Sequence, residues 1–301
     1  MTTTSAPHQH TSTRRAPAGE WEGISAPVSV VILTMNEEIN IRECLASCAW
    51  CADVHVLDSG SSDGTQAIAR ELGASVHVNA FESFGRQRNW AIDNIPVTHD
   101  WVFHLDADER FTTDQVREMG EVLSRNPEEA GFHVPSKLMF MGRWLKHSGG
   151  YPTYQMRLFH MARMRFEDYG HGQRELTEGM ISTLRKPYLH YNFSKGIDEW
   201  FEKHNLYSRK EAEQALAESR PLLQLLGMLV GSGAIARRRA LKSIGYMLPF
   251  RTVFVAIYML VFQMGLLDGR AGWNYIRMRT TYERMIDTKL SALRHSRGPS
   301  N

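Results

Sequence analysis

Residues 101–109 read WVFHLDADE, a short apolar run that ends abruptly in three acidic residues. The run predicts a buried β-strand, and ionised carboxylates are costly to bury unless they are paired or bound to a metal ion. Hard cations such as Mg²⁺ and Mn²⁺ prefer carboxylate oxygens and commonly carry the phosphates of a substrate. Asp106 and Asp108 therefore indicate a site for a divalent metal, Mg²⁺ or Mn²⁺, with a phosphorylated ligand.

The sequence before this stretch alternates between β-branched apolar runs and amphipathic segments. The predicted strands cover residues 28–33, 54–57 and 74–78, and the predicted helices cover 40–50, 66–72 and 84–94. Short loops between alternating strands and helices predict a parallel α/β sheet with right-handed crossovers. Ligands collect at the carboxyl ends of the strands in such sheets. Residues 34–38, 58–63 and 106–109 all follow predicted strands, so we expect them to converge on one site.

The chain after the acidic stretch changes character gradually. Thr112 and Gln115 have the spacing of a capping box for a helix that reaches about Arg125. Strands are predicted at 131–135 and 157–159, loops at 142–154 and 169–175, and helices from Lys195 onward. Within the first of these loops, Trp144 and Tyr151 are suited to stacking on a sugar and equally to packing in a core.

Charge is distributed unevenly along the chain. Residues 221–301 contain twelve Lys and Arg against three Asp and Glu, a net charge of +9. Residues 1–220 contain 23 basic and 30 acidic residues, a net charge of −7. A basic end on an acidic body predicts a polyanionic partner, either an anionic membrane surface or nucleic acid. No recognised nucleic-acid-binding module occurs in the sequence, which favours the membrane.

Two apolar stretches, residues 221–235 and 253–267, lie within this basic region. A membrane-spanning helix needs ~20 apolar residues, and Arg251 interrupts any extension of the second stretch. We therefore predict helices that lie in the membrane interface, which makes the protein cytoplasmic and peripheral at the inner face of the cytoplasmic membrane. The alternative is a helical packing arm or a dimer contact.

The remaining composition predicts an ordinary reduced globular protein. Cys44, Cys48 and Cys51 lie in a predicted helix and its exit, where core packing is favoured over a zinc site because a fourth nearby ligand is absent from the sequence. Residues 1–26 lack an apolar signal segment and predict a disordered tail. The expected organisation is this tail, an α/β domain at 27–195, a helical membrane-surface region at 196–290 and a flexible tail at 291–301.

Several motifs in this order resemble the family 2 inverting glycosyltransferases of the GT-A fold, in particular the branch of lipopolysaccharide core glucosyltransferases. They are LTMNE at 33–37, DSGSSDGT at 58–65, RN at 88–89, LDADE at 105–109, RLF at 157–159 and GLLDG at 265–269. The resemblance implies a Rossmann-like, mainly parallel sheet with flanking helices, followed by a helical C-terminal membrane-associating region.

The resemblance also implies residue roles on the donor side. Thr34, Glu37 and Asp58 would hold the base and ribose of a nucleotide sugar, with Asn36 and Asp63 beside them. Asp106 would meet the ribose or the sugar, and Asp108 would bind the metal that bridges the diphosphate. Arg88 would add positive charge near the phosphates, although a solvated helix face is the alternative for Arg86 and Arg88.

An inverting enzyme needs one general base for the acceptor hydroxyl. In the family this residue is usually a Glu or Asp in the loop after the Arg-Leu-Phe strand, and here the corresponding position is Gln173, which cannot serve as a base. We therefore predict Glu175 as the base, followed by Asp168 and then His171.

These observations predict metal-dependent inverting transfer of a sugar from a nucleotide diphosphate donor to a membrane-linked saccharide, such as a lipopolysaccharide core or a similar envelope glycan. Transfer to a polyprenyl phosphate is an alternative, because that acceptor needs no strong base. A catalytically weak membrane-bound scaffold that retains the donor fold is a second alternative.

Overall fold

The computed structural model describes residues 19–169, 172–231, 233–248 and 250–296. The chain divides into two compact units. Unit 1 takes the chain up to Pro135 together with Tyr154–Leu189, and unit 2 consists of Ser136–Thr153 and the chain from His190 onward. The domain boundaries expected from the sequence stay predictions.

The first part of the chain alternates strands and helices as the sequence predicts. In chain order these elements are β1 Ser29–Thr34, α1 Ile41–Ser47, β2 Val54–Asp58, α2 Thr65–Glu71, β3 Ser75–Val78, α3 Phe84–Asn94, β4 Trp101–Asp106, β5 Glu109–Arg110 and α4 Thr113–Leu123. Strands dominate the next part, with β6 Gly131–Phe140, β7 Arg143–Trp144, β8 Thr153–His160, β9 Arg165–Tyr169, β10 Gly172–Leu176, β11 Ile181–Thr183 and β12 Tyr188–His190.

The four strands β3, β2, β1 and β4 lie side by side in that order and pair in parallel. β1 is buried along nearly its whole length because helices cover both faces of a parallel sheet, which explains its continuous apolar sequence. The register sets Thr34 opposite Asp58 and Leu33 opposite Asp106. The predicted α/β sheet is therefore confirmed, and its strand ends meet at one edge.

Beyond β4 the sheet becomes mixed. β8 pairs antiparallel with β4, and β6, β12 and β5 follow in the strand order. The predicted loop at 169–175 is wrong over its second half, because Gly172–Leu176 forms β10 and pairs antiparallel with β9. This separate two-stranded hairpin carries charged residues on both strands, so it has no apolar alternation by which the sequence could reveal it.

The core of unit 1 explains the cysteine-rich helix. Cys44 and Cys48 are buried and pack in a cluster with Ile41, Val30 and Met119, and Cys51 packs against that cluster. The prediction of core packing for these thiols is confirmed.

Helices make up most of the chain from residue 197, as predicted. They are α5 Ile197–Ala217, α6 Leu222–Gly231, α7 Ala234–Gly245, α8 Arg251–Ile257 and α9 Gly269–Ser296, with a π-helical turn at Tyr258–Phe262 and a 3₁₀ turn at Gly265–Asp268. The two long helices, α5 and α9, pack against each other through a core that includes Trp200, Tyr282, Ile286 and Leu290.

Large apolar side chains between residues 222 and 267 are unusually exposed. The most exposed are Leu223, Val230, Phe250, Val261 and Phe262. Over the described residues, no helix on its own has the length and apolar character to cross a membrane, whereas Arg251–Phe262 and Gly265–Ser296, bent by 71°, pass that test as a pair on length and composition.

Candidate active site

Asp58 organises the carboxyl end of β2 from a fully buried position. Its carboxylate accepts hydrogen bonds from the hydroxyls of Thr34 (2.8 Å) and Ser61 (2.5 Å) and from the side-chain amide of Gln66 (2.7 Å). The two hydroxyls donate to Oδ2, whereas the Gln66 amide shares Oδ1 with the backbone N–H groups of Gly60 and Ser61, which donate at 3.0 and 2.8 Å. Burial raises the pKa of Asp58, but these hydrogen bonds outweigh burial and leave the pKa below its ordinary value. An ionised Asp58 therefore holds the ends of β1 and β2 together.

The loop after β1 is tied to the loop after β2. Asn36 adopts a left-handed backbone conformation (φ 55°), which Asn tolerates better than most residues. Its N–H donates to the Ser61 hydroxyl at 2.7 Å, and its side-chain oxygen accepts from the Ser62 N–H at 2.8 Å. Asn36 thus shapes the rim where the two loops meet.

A second set of bonds links the same loops at the start of α2. Asp63 accepts from the Thr65 N–H at 3.0 Å and from the Glu38 N–H at 3.1 Å, and Glu38 accepts in turn from the Gly64 N–H at 2.9 Å. The Glu37 N–H donates to the Thr65 hydroxyl at 2.7 Å. Asp63 and Glu37 therefore belong to one rigid loop pair with Asn36 and Asp58.

A buried ion network holds the acidic end of β4. The Arg157 guanidinium, 2% exposed, contacts both Asp106 oxygens at 2.5 and 3.4 Å and Glu109 at 2.6 Å. Glu109 is fully buried and also accepts from the Asp106 N–H at 3.0 Å. Burial lowers the pKa of Arg157, but the two carboxylates outweigh burial and raise it well above its usual value. The side chain of Asp106 remains 40% exposed, so it can still meet a ligand.

Arg88 adds a second buried cation beside Asp106, and it is not on a solvated helix face. Its Nε donates to Gln173 Oε1 at 2.9 Å, and its Nη2 lies 3.7 Å from Asp106 Oδ1. Burial and the charge of Arg157 lower the pKa of Arg88 to about 10, against the effect of Asp106 and Glu109, so it stays protonated at neutral pH. Its buried Nη1 has no hydrogen-bond partner among the described residues. This unused donor fits an anionic ligand.

Asp108 follows β4 by two residues and is partly exposed. Among the residues that the structure describes, no group of three or more His, Cys, Asp or Glu side chains is arranged to hold a metal ion. Mg²⁺-type sites commonly use one or two carboxylates and take their other ligands from phosphates and water. A single hard carboxylate at this strand end fits that kind of substrate-dependent metal site.

The β9–β10 hairpin brings two polar side chains to one face. Gln173 and Glu175 are two residues apart on β10, so their side chains project from the same face of the strand, the one that faces Arg88. Glu175 contacts His133 Nε2 at 3.4 Å, and its side chain is 27% exposed. The hydrogen bond from His133 is the main reason that the pKa of Glu175 is lowered, and it outweighs partial burial. Glu175 is therefore an ionised carboxylate on the same face as the residue that occupies the expected base position.

The other two predicted bases are Asp168 and His171. Asp168 lies on β9 against the start of α3, where it accepts hydrogen bonds from the Ser83 hydroxyl at 2.7 Å and the Gly85 N–H at 3.0 Å. A Cβ on Gly85 would come within 2.9 Å of this carboxylate, so the helix approaches β9 closely here. His171 lies outside the described residues.

Sequence reasoning gave no role to Glu109 or to Arg157, although both build the site. A signal for Arg157 was present, because an arginine inside the apolar run of residues 156–159 must have a buried acidic partner. Asn89 was likewise missed as an anchor: its amide exchanges two hydrogen bonds with the backbone of Phe166, at 2.8 and 3.0 Å, and so fixes β9 to α3.

This sheet edge, with its acidic strand ends and buried arginines, has the arrangement expected of a GT-A glycosyltransferase. Residues 29–177 match the family described as Glycosyl transferase family 2, so the chain carries a domain of that family and is a glycosyltransferase. The resemblance inferred from the motifs is confirmed.

Two curated relatives support the same family. The lipopolysaccharide core biosynthesis glycosyltransferase LpsC of Rhizobium meliloti is 26% identical over 195 residues, which cover 62% of this chain and 71% of that protein. An uncharacterized glycosyltransferase of Rickettsia conorii is 23% identical, over 67% of this chain and 74% of its own length.

Among solved structures, the chain resembles glucosyl-3-phosphoglycerate synthase of Mycobacterium tuberculosis, crystallised with Mn²⁺ and uridine-diphosphate-glucose, with 23% identity and a TM-score of 0.31. The alignment covers 40% of this chain and 46% of that structure, so this chain spans about half the length of that enzyme.

Proposed function

We propose that the protein is a metal-dependent, inverting glycosyltransferase that moves a sugar from a nucleotide diphosphate donor to a membrane-linked saccharide of the bacterial cell envelope. The observation that carries the proposal is that Asp58 and Asp106 end β2 and β4, the two strands that flank β1, with Asp108 two residues further on, all inside the family 2 domain. Asp106 and Asp108 remain partly exposed at this edge, and a nucleotide diphosphate bound with a divalent cation suits such carboxylates.

On the donor side, each candidate residue has a chemical task. Thr34, Asn36, Glu37, Asp58 and Asp63 build the pocket for the base and ribose. The buried Asp58 and Thr34 fix the loops, and the more exposed oxygen acceptors of Asn36, Glu37 and Asp63 suit ribose hydroxyls and base N–H groups. Their loops are already bonded to one another, so little ordering is needed when the donor binds.

Three other residues would contact the phosphate and sugar end of the donor. Asp108 holds the metal, Arg88 offers its unused N–H toward the diphosphate, and Asp106 meets the ribose or the sugar. Mg²⁺ or Mn²⁺ held there would supply positive charge to stabilise the leaving nucleoside diphosphate. Arg157 and Glu109 keep Asp106 in position, because breaking such a buried network leaves an unpaired charge.

For the acceptor step we propose Glu175 as the general base. It shares a strand face with Gln173, so a shift of two residues along β10 keeps a carboxylate on the side where the family has its base. Its contact with His133 keeps it ionised, as a base must be. Asp168 is the weaker candidate, since both its oxygens already accept hydrogen bonds from the start of α3.

A membrane-linked acceptor agrees with the chemistry of unit 2. Residues 222–267 expose large apolar side chains such as Phe250 and Phe262, and the same part of the chain carries Arg237 and Arg238. Helices of this composition lie in the membrane interface, with apolar side chains among the lipids and basic ones near the head groups. We propose that the enzyme works as a peripheral protein at the cytoplasmic face.

Isothermal titration of UDP with Mn²⁺ tests the donor and metal roles. Asp108→Ala should weaken UDP–Mn²⁺ binding at least about tenfold, because it removes the protein's ligand to the metal. Asp114→Ala is the matched control, since Asp114 is a surface residue of α4 that pairs only with Arg117 among the described residues. Equal affinities of Asp108→Ala and the parent protein would exclude Asp108 as the metal ligand.

A further inference from the structure

The hairpin of β6 and β7 in unit 2 sets two lysines against each other. The Leu145 N–H donates to the Leu138 carbonyl at 2.8 Å, which continues the antiparallel pairing of these strands past the end of β7. The next opposed pair in this register is Lys137 and Lys146. Like charges on directly opposed residues destabilise an antiparallel pair, so packing alone does not explain them.

Both ammonium groups converge on one aromatic ring. Lys137 Nζ lies 4.7 Å from the centroid of the Trp144 ring, and Lys146 Nζ lies 5.8 Å from it. The Tyr151 ring packs edge-on against Trp144, with the ring centroids 5.0 Å apart. Lys137, Trp144 and Lys146 together form the lysine–tryptophan cluster.

Acidic side chains do not neutralise this cluster. Within the described part of the chain, neither lysine forms an ion pair with a carboxylate, whereas Lys203 and Lys242 do. Lys146 is exposed and Lys137 is half-buried. Two adjacent cations on an aromatic ring, at least partly open to solvent and with no carboxylate partner among the described residues, form a surface that attracts an anion.

The cluster also rests on a rigid support. Leu145 is fully buried and packs with Leu138 in the core of unit 2, on the other face of the hairpin. The buried carboxylate of Asp268 accepts from the N–H groups of His147 and Ser148, at 3.0 and 2.7 Å, and from the Ser148 hydroxyl at 2.7 Å. The GLLDG motif therefore fixes the segment that carries Lys146, and a ligand need not order it on binding.

We propose that the lysine–tryptophan cluster of unit 2 binds a phosphate monoester on a saccharide. That this saccharide is the acceptor rests on the proposed glycosyltransferase function. A phosphate monoester carries about −1.5 to −2 charge at pH 7, which matches two ammonium groups. A phosphodiester head group carries one negative charge and matches less well. The ring of Trp144 and the edge of Tyr151 offer an amphipathic surface beside the phosphate, where a sugar ring can lie.

Titration with glucose 6-phosphate, with glucose as the uncharged reference, tests this assignment on the full-length chain. The double variant Lys137→Gln/Lys146→Gln should weaken binding of glucose 6-phosphate at least about tenfold, since two charge-assisted contacts are lost. Lys186→Gln/Lys210→Gln is the matched control, because it removes the same charge from two exposed lysines and should leave binding unchanged. UDP–Mn²⁺ affinity should be the same in all three proteins.

Each outcome decides the proposal. Selective loss of glucose 6-phosphate binding with intact UDP–Mn²⁺ binding supports it. Absence of binding by the parent, equal affinity for glucose, or an unaffected double variant overturns it, and none of these touches the donor site. Vesicles of phosphatidylglycerol form a separate arm: if the double variant loses only vesicle binding, the cluster recognises lipid head groups and the saccharide assignment is wrong. Failure of UDP–Mn²⁺ binding in the parent would instead count against the proposed function itself.

Discussion

At the level of single residues, the buried arginines of the site lie next to groups of opposite charge. Arg157 lies in an apolar strand and is charged at every accessible pH, so it requires the two carboxylates that it contacts. Asp106 is shared between this buried cation and the open side of the sheet. The exposed part of Asp106 therefore keeps a fixed orientation without any ligand, which would favour the proposed transfer because little reorganisation is needed.

Substitution of Glu175 tests its role as the proposed general base. Glu175→Gln removes the proposed base and should lower the transfer rate by about 10²–10⁴-fold while UDP–Mn²⁺ binding persists. Because contact with His133 lowers the pKa of Glu175, the carboxylate stays ionised until the pH falls below the usual glutamate range. The acid limb of kcat/KM should therefore lie below that range, and a pH–rate profile measures it.

Glu167→Gln is the control for this substitution. Glu167 lies on the other face of the same hairpin, where it pairs with Arg174 at 2.6 Å, so its loss should leave the rate nearly unchanged. An acid limb near the ordinary pKa of histidine, or full activity of Glu175→Gln, would assign the base to another residue of this hairpin.

At the level of elements, local patterns predicted most of the donor half. Helix α3 has the bounds predicted from the sequence, and Ser83 caps it through a hydrogen bond to the Arg86 N–H. Thr112 caps α4 as the capping box implies. Asn40 precedes α1 but does not cap it: its backbone is helical, and its amide donates instead to Glu37 at 2.7 Å.

The sequence could not predict contacts between residues that are far apart along the chain. The hairpin of β9 and β10 is stabilised by α3 through Asn89 and Arg88, which are about eighty residues away along the chain. Such contacts leave no periodicity in the hairpin itself. The strand-end acids could be predicted because parallel strands bring their carboxyl ends together, whereas the buried pairing of Glu109 with Arg157 depends on β8 lying next to β4.

Substitution of Asp268, in the turn before α9, tests how strongly its hydrogen bonds stabilise unit 2. Asp268→Ala leaves two backbone N–H groups and a hydroxyl without their buried acceptor, so the free energy of unfolding of unit 2 should fall by about 3 kcal/mol. Amide hydrogen exchange of residues 143–151 should rise, because the segment loses its anchor. Urea unfolding and exchange measured by mass spectrometry test both effects.

Asp198→Ala is the control for Asp268→Ala, because Asp198 is an exposed residue in the first turn of α5. Its loss should change the free energy of unfolding by less than about 1 kcal/mol. Unchanged exchange of residues 143–151 in Asp268→Ala would show that other contacts hold the segment.

At the scale of the whole molecule, the chain separates two kinds of chemistry by unit. Unit 1 contains the acidic strand ends and the buried arginines of the proposed donor site, and the described part of unit 2 contains most of the exposed large apolar side chains. Unit 2 is also strongly basic over residues 221–301. The proposed soluble donor and lipid-linked acceptor would make these different demands on one enzyme.

This division predicts that the exposed apolar residues of unit 2 bind membranes. Phe250 and Phe262 are 80% and 74% exposed, and transfer of each ring from water to the lipid interface is favourable by about 1.5–3 kcal/mol at full burial. Phe250→Glu/Phe262→Glu should therefore reduce binding to vesicles of phosphatidylglycerol and phosphatidylcholine more than about tenfold. The control Leu72→Glu/Val78→Glu adds the same charge on exposed apolar residues of unit 1 and should bind vesicles like the parent. If co-sedimentation shows equal loss in both double variants, general charge repulsion explains it, and the membrane role of unit 2 is wrong.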